Sequence, residues 1–251
     1  MSYPILEHDP APQALIEPSA LHASRDVPEA AVLCFFHEVI DKLVAGGLAR
    51  ECVRWSSEQG PTALYELESG GDRVAILHPG VGAPIAAIRL EAAIALGCRR
   101  FVSCGGAGAL VPELALGHVV VPISAVRDEG TSYHYLPPGR EVMANQEALR
   151  SVEALLRERD IPFVLGKTWT TDGAYRETPG RVSRRRAEGC LVVEMEAAAL
   201  FAVAEFRRVP FVSLLYAGDS LAGDRWDHRR WNRHEGREQL FWLAVHAALR
   251  L

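Results

Sequence analysis

The feature that most limits what this chain can fold into is a repeated alternation of short apolar runs with longer segments of helical periodicity. Strands covered on both faces read as unbroken apolar runs, whereas amphipathic helices show apolar residues recurring with the helical turn. After an irregular, Pro-rich segment over residues 1–28, residues 30–36 read as a strand and 37–45 as a short helix closed by Gly46-Gly47. Residues 62–68 and 73–77 read as a hairpin turning at Ser69-Gly70-Gly71-Asp72. A helix over 85–96 is followed by strands over 101–104 and 119–126, a helix over 145–159 and a strand over 162–168. A strand ending at Val192-Val193 leads into a helix over 197–206, a strand over 209–216 and a last helix over 237–251. This order predicts an α/β fold. It is a single-domain three-layer α/β/α arrangement over 29–251, with a mixed, mostly parallel central sheet flanked by helices.

At 251 residues and 49% hydrophobic content the chain can bury one large core. A net charge of −5 argues against a nucleic-acid partner, because phosphate backbones select basic faces. The one basic cluster, Arg184-Arg185-Arg186, reads as a solvated helix face. Five cysteines, scattered and without a CxxC pair, fit neither a disulfide framework nor a zinc site, so a cytoplasmic location is expected. The N-terminus lacks a basic start followed by an apolar core, and no apolar run approaches about 18 residues, so neither export nor membrane insertion is expected. His78, His118, His134, His228 and His234 have no ligand spacing, and no metal is expected.

In sheets of this kind, ligands gather at the carboxyl ends of strands. Four such ends carry chemistry: Gly80-Val81-Gly82, Cys104-Gly105-Gly106-Ala107-Gly108, Glu194-Met195-Glu196 and Gly218-Asp219-Ser220. Two carboxylates at a strand-to-helix junction must be hydrogen-bonded or face a cavity, since an unpaired buried charge is costly; acids near a helix start also suit its dipole. The glycine runs either bring backbone amides close to an anion or sugar, or simply reverse the chain. After Gly80-Val81-Gly82 the third glycine position of a dinucleotide fingerprint is Ile85, which argues against a nicotinamide or flavin role.

Several ordered blocks between residues 74 and 222 resemble the nucleoside phosphorylase-I family of purine nucleoside phosphorylases, uridine phosphorylases and related nucleosidases. They are Gly80-Val81-Gly82-Ala83-Pro84, Cys104-Gly105-Gly106-Ala107-Gly108-Ala109-Leu110, Gly117-His118-Val119-Val120-Val121, Val193-Glu194-Met195-Glu196-Ala197 and Gly218-Asp219-Ser220. A further block, Val126-Arg127-Asp128-Glu129-Gly130-Thr131-Ser132-Tyr133-His134, is most similar to the uridine phosphorylase branch. The resemblance implies cleavage of an N-glycosidic bond with phosphate as co-substrate and no other cofactor. Glu196 would accept hydrogen bonds from the ribose hydroxyls, Met195 would pack on the sugar, and Glu194 would hold the loop or face base and sugar. Gly82, Cys104 and Gly105 would line the substrate. Asp219 lies where purine-cleaving members carry a general acid, and equally suits a cap or turn.

The sequence also departs from that pattern. Ser103 stands where phosphorylases carry a phosphate arginine, and a Gly-Asp-Pro-type turn is replaced by Leu33-Cys34-Phe35-Phe36-His37-Glu38. Phosphate candidates are therefore Ser103, Gly106, Arg54 and Arg89, alongside the Gly105 amide. The pyrimidine-reading Gln-x-Arg is absent from the stretch Thr171-Asp172-Gly173-Ala174-Tyr175-Arg176-Glu177-Thr178, where Arg176 contacts the base or lies on a solvated loop. Three readings follow: a nucleoside phosphorylase, a nucleosidase of the same fold, or a non-catalytic nucleoside-binding protein. The family also implies a dimer-based homo-oligomer, for which Trp55, Tyr65, Phe35 and Phe36 are surface candidates.

Overall fold

The computed structural model describes residues 3–230 and 236–251; His234 lies outside them. Its strands are β1 (Ala30–Cys34), β2 (Ala49–Ser57), β3 (Gly60–Ser69), β4 (Asp72–Leu77), β5 (Arg100–Ala109), β6 (Val119–Asp128), β7 (Glu141–Met143), β8 (Phe163–Thr171), β9 (Cys190–Glu194) and β10 (Phe211–Ser220). The helices are α1 (Pro18–Leu21), α2 (His37–Ala45), α3 (Ala83–Leu96), α4 (Gln146–Glu158), α5 (Pro179–Ala187), α6 (Ala197–Arg207) and α7 (Gly236–Arg250). No helix among the described residues is long and apolar enough to cross a membrane.

All five residues of β1 are buried, and their alternation separates the two helical layers. Ala30, Val32 and Cys34 join the cluster built with α2, α4 and α7. Ala31 and Leu33 join the one built with α3 and α6. Covering both faces is what removes polar residues from this strand.

The sheet runs β10-β6-β8-β9-β5-β1-β4-β3-β2, and β10 also pairs β5. Strands β5, β10, β6, β8 and β9 therefore close on one another, while β1, β4, β3 and β2 extend as an open wing. Pairings of β1 with β4 and β5, β10 with β5, and β8 with β6 and β9 are parallel. The hairpin strands, β7, and the β5–β9 and β6–β10 contacts are antiparallel. Strand β2 has no counterpart among the sequence-predicted elements. Only Ala49 and Val53 of its residues are buried, so this edge strand carries no apolar alternation.

Closure depends on β5. The glycine run expected as a strand-end loop lies inside this strand, where Gly108 and Ala109 pair antiparallel with Val193 and Val192 of β9 while Ala109 keeps its parallel partner Ser220 on β10. A Cβ on Gly108 would come within 2.7 Å of Leu221 Cδ1, and one on Gly106 within 3.2 Å of the Tyr216 ring. These glycines let the strand turn and be packed closely on both sides. Gly218, Asp219 and Ser220 likewise continue β10.

Two surface expectations are corrected in part, since Arg184 and Arg186 are exposed and Phe35, Trp55 and Tyr65 are half-buried. Arg185 of the basic cluster is buried, pairing with Asp128 at 3.2 Å and Glu188 at 3.1 Å while its guanidinium lies over Trp169. Phe36 is buried, Tyr65 packs on the core, and Trp55 packs edge-on to His22. Trp169 is fully buried and its Nε1 donates to Asp128 Oδ2 at 2.9 Å. Trp169→Ala is expected to cost about 3–5 kcal/mol in chemical denaturation; a loss below about 1 kcal/mol, typical of an average site, would contradict this packing.

Candidate active site

Strand β8 presents Thr168 and Thr170 on one face and Trp169 on the other, following the two-residue period of a strand. Both threonine hydroxyls donate to Glu194 Oε1, at 3.0 and 2.7 Å. The other carboxylate oxygen accepts the backbone N–H groups of Glu196 at 2.7 Å and Ala197 at 2.6 Å. Such N–H groups at a helix start have no intrahelical partner, and an acid there also meets the favourable end of the dipole. Burial pushes the Glu194 carboxyl above its usual range, against the pull of these four donors. Its carboxylate is thus spent on fixing the β9–α6 junction.

Glu196 occupies the cap position of α6 with its side chain turned elsewhere. Oε1 accepts the Gly82 N–H at 2.5 Å and Oε2 the Met195 N–H at 3.3 Å. Gly82 reaches it from the β4–α3 loop with φ of 102°, a region that disfavours side chains. The same loop is held by the Gly80 N–H donating to His78 Nδ1 at 3.0 Å, and by Arg89 Nη1 donating to the His78 carbonyl at 2.9 Å. Burial and the neighbouring Glu194 charge push the Glu196 carboxyl up to about 8.

These groups border a cavity of about 570 Å³ at the strand ends. Along β5 and β10 its wall runs from Ser103 and Ser213, whose hydroxyls are 2.8 Å apart, to Gly108 and Asp219. Phe35, Phe36 and Arg237 also line it; the guanidinium lies 4.4 Å from the Phe36 ring centre and pairs with Glu38 at 2.5 Å. Arg237 is the one basic side chain in the lining among the described residues. At the other end the Trp226 indole donates to Asp219 Oδ2 at 2.5 Å. The reciprocal backbone pair between Ser220 and Asp227 folds the chain back to place that indole. Tyr175 and Glu177 complete this end. Burial, then the Asp219 charge, push Glu177 up to about 7.

Seven of the sequence-predicted residues line this cavity: Ser103, Gly105, Gly106, Glu194, Met195, Glu196 and Asp219. Gly82 touches it through Glu196. Cys104 points to the opposite face of β5, into the core shared with Cys34. The remaining three lie outside the lining. Arg54 is ion-paired to Glu51 on β2, Arg89 is spent on His78, and Arg176 is exposed. The Arg127–His134 block is a clasp: Arg127 binds Ser132 Oγ and the carbonyls of Leu136 and Pro137. Arg237, Trp226, Ser213 and Glu177 are among the lining residues that sequence reasoning passed over. Only Glu177, one residue from Arg176, carried a local signal. A second cavity of about 630 Å³, lined by Asn145, Phe201 and Arg208, holds none of the strand-end groups and is not assigned the chemistry.

A model of the phosphorylase superfamily matches residues 29–247, and the chain belongs to that superfamily. Similar proteins include a guanosine phosphorylase of Halorubrum lacusprofundi, 31% identical over 134 residues, covering 53% of this chain and 56% of that protein. A uridine phosphorylase of Treponema pallidum is 29% identical over 147 residues, covering 54% of this chain and 57% of the relative. The aligned stretches thus span little more than half of these relatives. The fold is shared with the crystal structure of purine nucleoside phosphorylase from Toxoplasma gondii in complex with immucillin-H, with a TM-score of 0.77 at 20% identity, covering 90% of this chain and 92% of that one.

Two tests follow from this geometry. Glu194→Leu keeps the bulk but strips the acceptor from two backbone N–H groups and two hydroxyls. It should cost at least about 1–3 kcal/mol, the penalty of one unsatisfied buried donor, and an unchanged melting temperature would exclude this anchoring. Because Glu196 binds its proton more tightly folded than unfolded, its stabilising contribution is fully present below the usual carboxylate range and is lost as pH rises toward about 8. Glu196→Gln should flatten that part of the ligand-free stability profile; a variant with the parental slope would show that Glu196 does not titrate there.

Proposed function

We propose that this protein is a pentosyltransferase that cleaves the N-glycosidic bond of a nucleoside and transfers the pentose to inorganic phosphate, with no other cofactor. The observation that carries the reading is Glu196, a buried carboxylate held at the cavity wall by a glycine N–H and backed by the fully engaged Glu194. Bond cleavage builds positive charge at the anomeric carbon. A fixed carboxylate that accepts the ribose hydroxyls aligns the sugar and stabilises that charge. Those hydroxyl donors favour the ionised form of Glu196 and lower its affinity for the proton on binding. Met195, at the cavity wall, supplies an adaptable apolar contact for the sugar.

Phosphate fits the serine end. There the Ser103 hydroxyl and the Gly105 and Gly106 backbone offer donors where the family arginine is missing, and Arg237 is the cation elsewhere in the lining. The opposite end, with Asp219 and Glu177, favours a purine over a pyrimidine, because a purine ring nitrogen takes a proton as the base leaves. Exposed Arg176 is not positioned as a carbonyl donor for a pyrimidine. The relatives' names, guanosine phosphorylase and uridine phosphorylase, span both base classes. A second reading, hydrolysis, is favoured by Ser103 itself, since water needs no arginine there. We expect a cytoplasmic homo-oligomer, with the exposed apolar residues Val81, in the cavity lining, and Ile88 of α3 as the association face.

A panel of purine and pyrimidine nucleosides assayed with and without phosphate tests the proposal. Base release that requires phosphate is expected, release without phosphate supports hydrolysis, and binding without turnover on the whole panel rejects both. On the substrate so found, Glu196→Gln should lower kcat/KM by about 10²-fold or more while leaving the fold intact; values within a factor of a few would remove Glu196 from the reaction.

A further inference from the structure

Taking an anion out of water into a cavity is costly unless a cation or a convergent set of donors replaces its hydration. Among the described residues, Arg237 of α7 is the one basic side chain in the cavity lining. Arg54 and Arg89 are engaged elsewhere, the first with Glu51 on β2 and the second with the His78 carbonyl. Arg237 is held beside the junction of β1 with the glycines of β5. There the Phe35 N–H donates to the Cys104 carbonyl at 3.0 Å, and the Phe35 ring fills the space where a Cβ on Gly105 would stand, 3.0 Å from Cδ2. The next residue, Phe36, is buried with its ring 6.0 Å from that of Tyr216, and the Arg237 guanidinium lies over it at 4.4 Å. A guanidinium seated on an aromatic face keeps its charge and its fork of donors in a fixed place.

Its carboxylate partner is placed quite differently. The Arg237 side chain is 13% exposed, whereas that of Glu38 is 56% exposed. A carboxylate so largely in water gains little from the pair, so the two are readily exchanged for other partners. Glu38 also lies in the first turn of α2, where the helix dipole favours an acid without any ion pair. One turn further along α2, Lys42 pairs at 2.6 Å with Glu238, the residue after Arg237. A second contact therefore joins α2 to α7 when Glu38 lets go.

We infer that Arg237 is the anion-binding side chain of this cavity, and that Glu38 is its counter-ion in the ligand-free protein, displaced when phosphate enters. This deepens the proposed function and rests on it for the identity of the anion. The exchange makes and breaks no covalent bond: a carboxylate leaves the guanidinium for water, a phosphate takes its place, and the arginine stays protonated throughout. Were Arg237 only a tie between two helices, removing Glu38 would change stability and nothing else. As a competing counter-ion, Glu38 instead weakens anion binding, and its removal strengthens it.

The test is calorimetric titration of the ligand-free protein with inorganic phosphate, alongside steady-state kinetics on the nucleoside panel. Arg237→Gln should weaken phosphate binding and raise the KM for phosphate at least about tenfold, with the KM for nucleoside little changed. Arg237→Lys should restore part of that affinity, since it returns the charge without the bidentate fork. Glu38→Gln should tighten phosphate binding by about two- to fivefold, the range of an exposed ion pair. Phosphate affinities within a factor of two of the parent in both Arg237→Gln and Glu38→Gln would overturn the inference, and so would weaker binding in Glu38→Gln. Phosphate-dependent cleavage with a parental phosphate KM in Arg237→Gln overturns it while leaving the proposed function standing. The predicted pattern of phosphate affinities with no nucleoside cleaved supports the anion site and overturns the proposed function instead.

Discussion

The four hydrogen bonds received by Glu194 are the interaction on which the rest of the site depends. A strand, β8, supplies two hydroxyls and the first turn of α6 supplies two backbone N–H groups, all to one buried carboxylate. The cost of dehydrating that charge is offset only when every donor is in place, which makes the junction an all-or-none arrangement. With Glu194 engaged, the next carboxylate along the chain cannot cap the helix and is turned to meet Gly82. One acid is used for architecture, and the other is left lining the cavity. The closed part of the sheet serves the same end, because β8, β9 and β5 must converge for the threonines, the junction and the cavity wall to meet.

The cavity that results has opposite character at its two ends. Where Ser103 and Ser213 face each other, the lining is neutral and hydroxyl-bearing. Toward Gly108 and Asp219 it becomes acidic and aromatic. On the proposed reading, an anion and a proton-requiring base would take distinct places in this cavity, with Glu196 as the carboxylate for the ribose. With Ser103 at the end of the strand, the only lining cation among the described residues is Arg237 of α7. That origin bears directly on whether phosphate or water is the acceptor.

Much of the layer order was legible in the sequence because β1, β4, β5 and β10 are buried on both faces and their apolar runs are nearly unbroken. Residues 145–159 were legible as a helix for the complementary reason: an Asn145 cap and a strong one-sided apolar stripe. The glutamate junction could be recognised from its place between a strand and an alanine-rich helix. What a linear reading misjudged was glycine. Gly105, Gly106 and Gly108 looked like a loop because the sequence does not show that Phe35, Tyr216 and Leu221 occupy the space where side chains would stand. Arg237 and Trp226 were invisible as site residues because they reach the cavity from distant elements, through packing rather than through any local pattern.

The central claim is that Glu196 is the ribose-binding carboxylate of a nucleoside-cleaving site. A crystal structure of the protein with a non-cleavable purine nucleoside analogue and sulfate tests it most directly. The account predicts the 2′- and 3′-hydroxyls within hydrogen-bond distance of Glu196 and the base against Asp219 and Glu177. It also predicts the anion at the Ser103 end, beside Arg237. A nucleoside bound in the same cavity with its ribose turned away from Glu196, or bound elsewhere on the molecule, would contradict it.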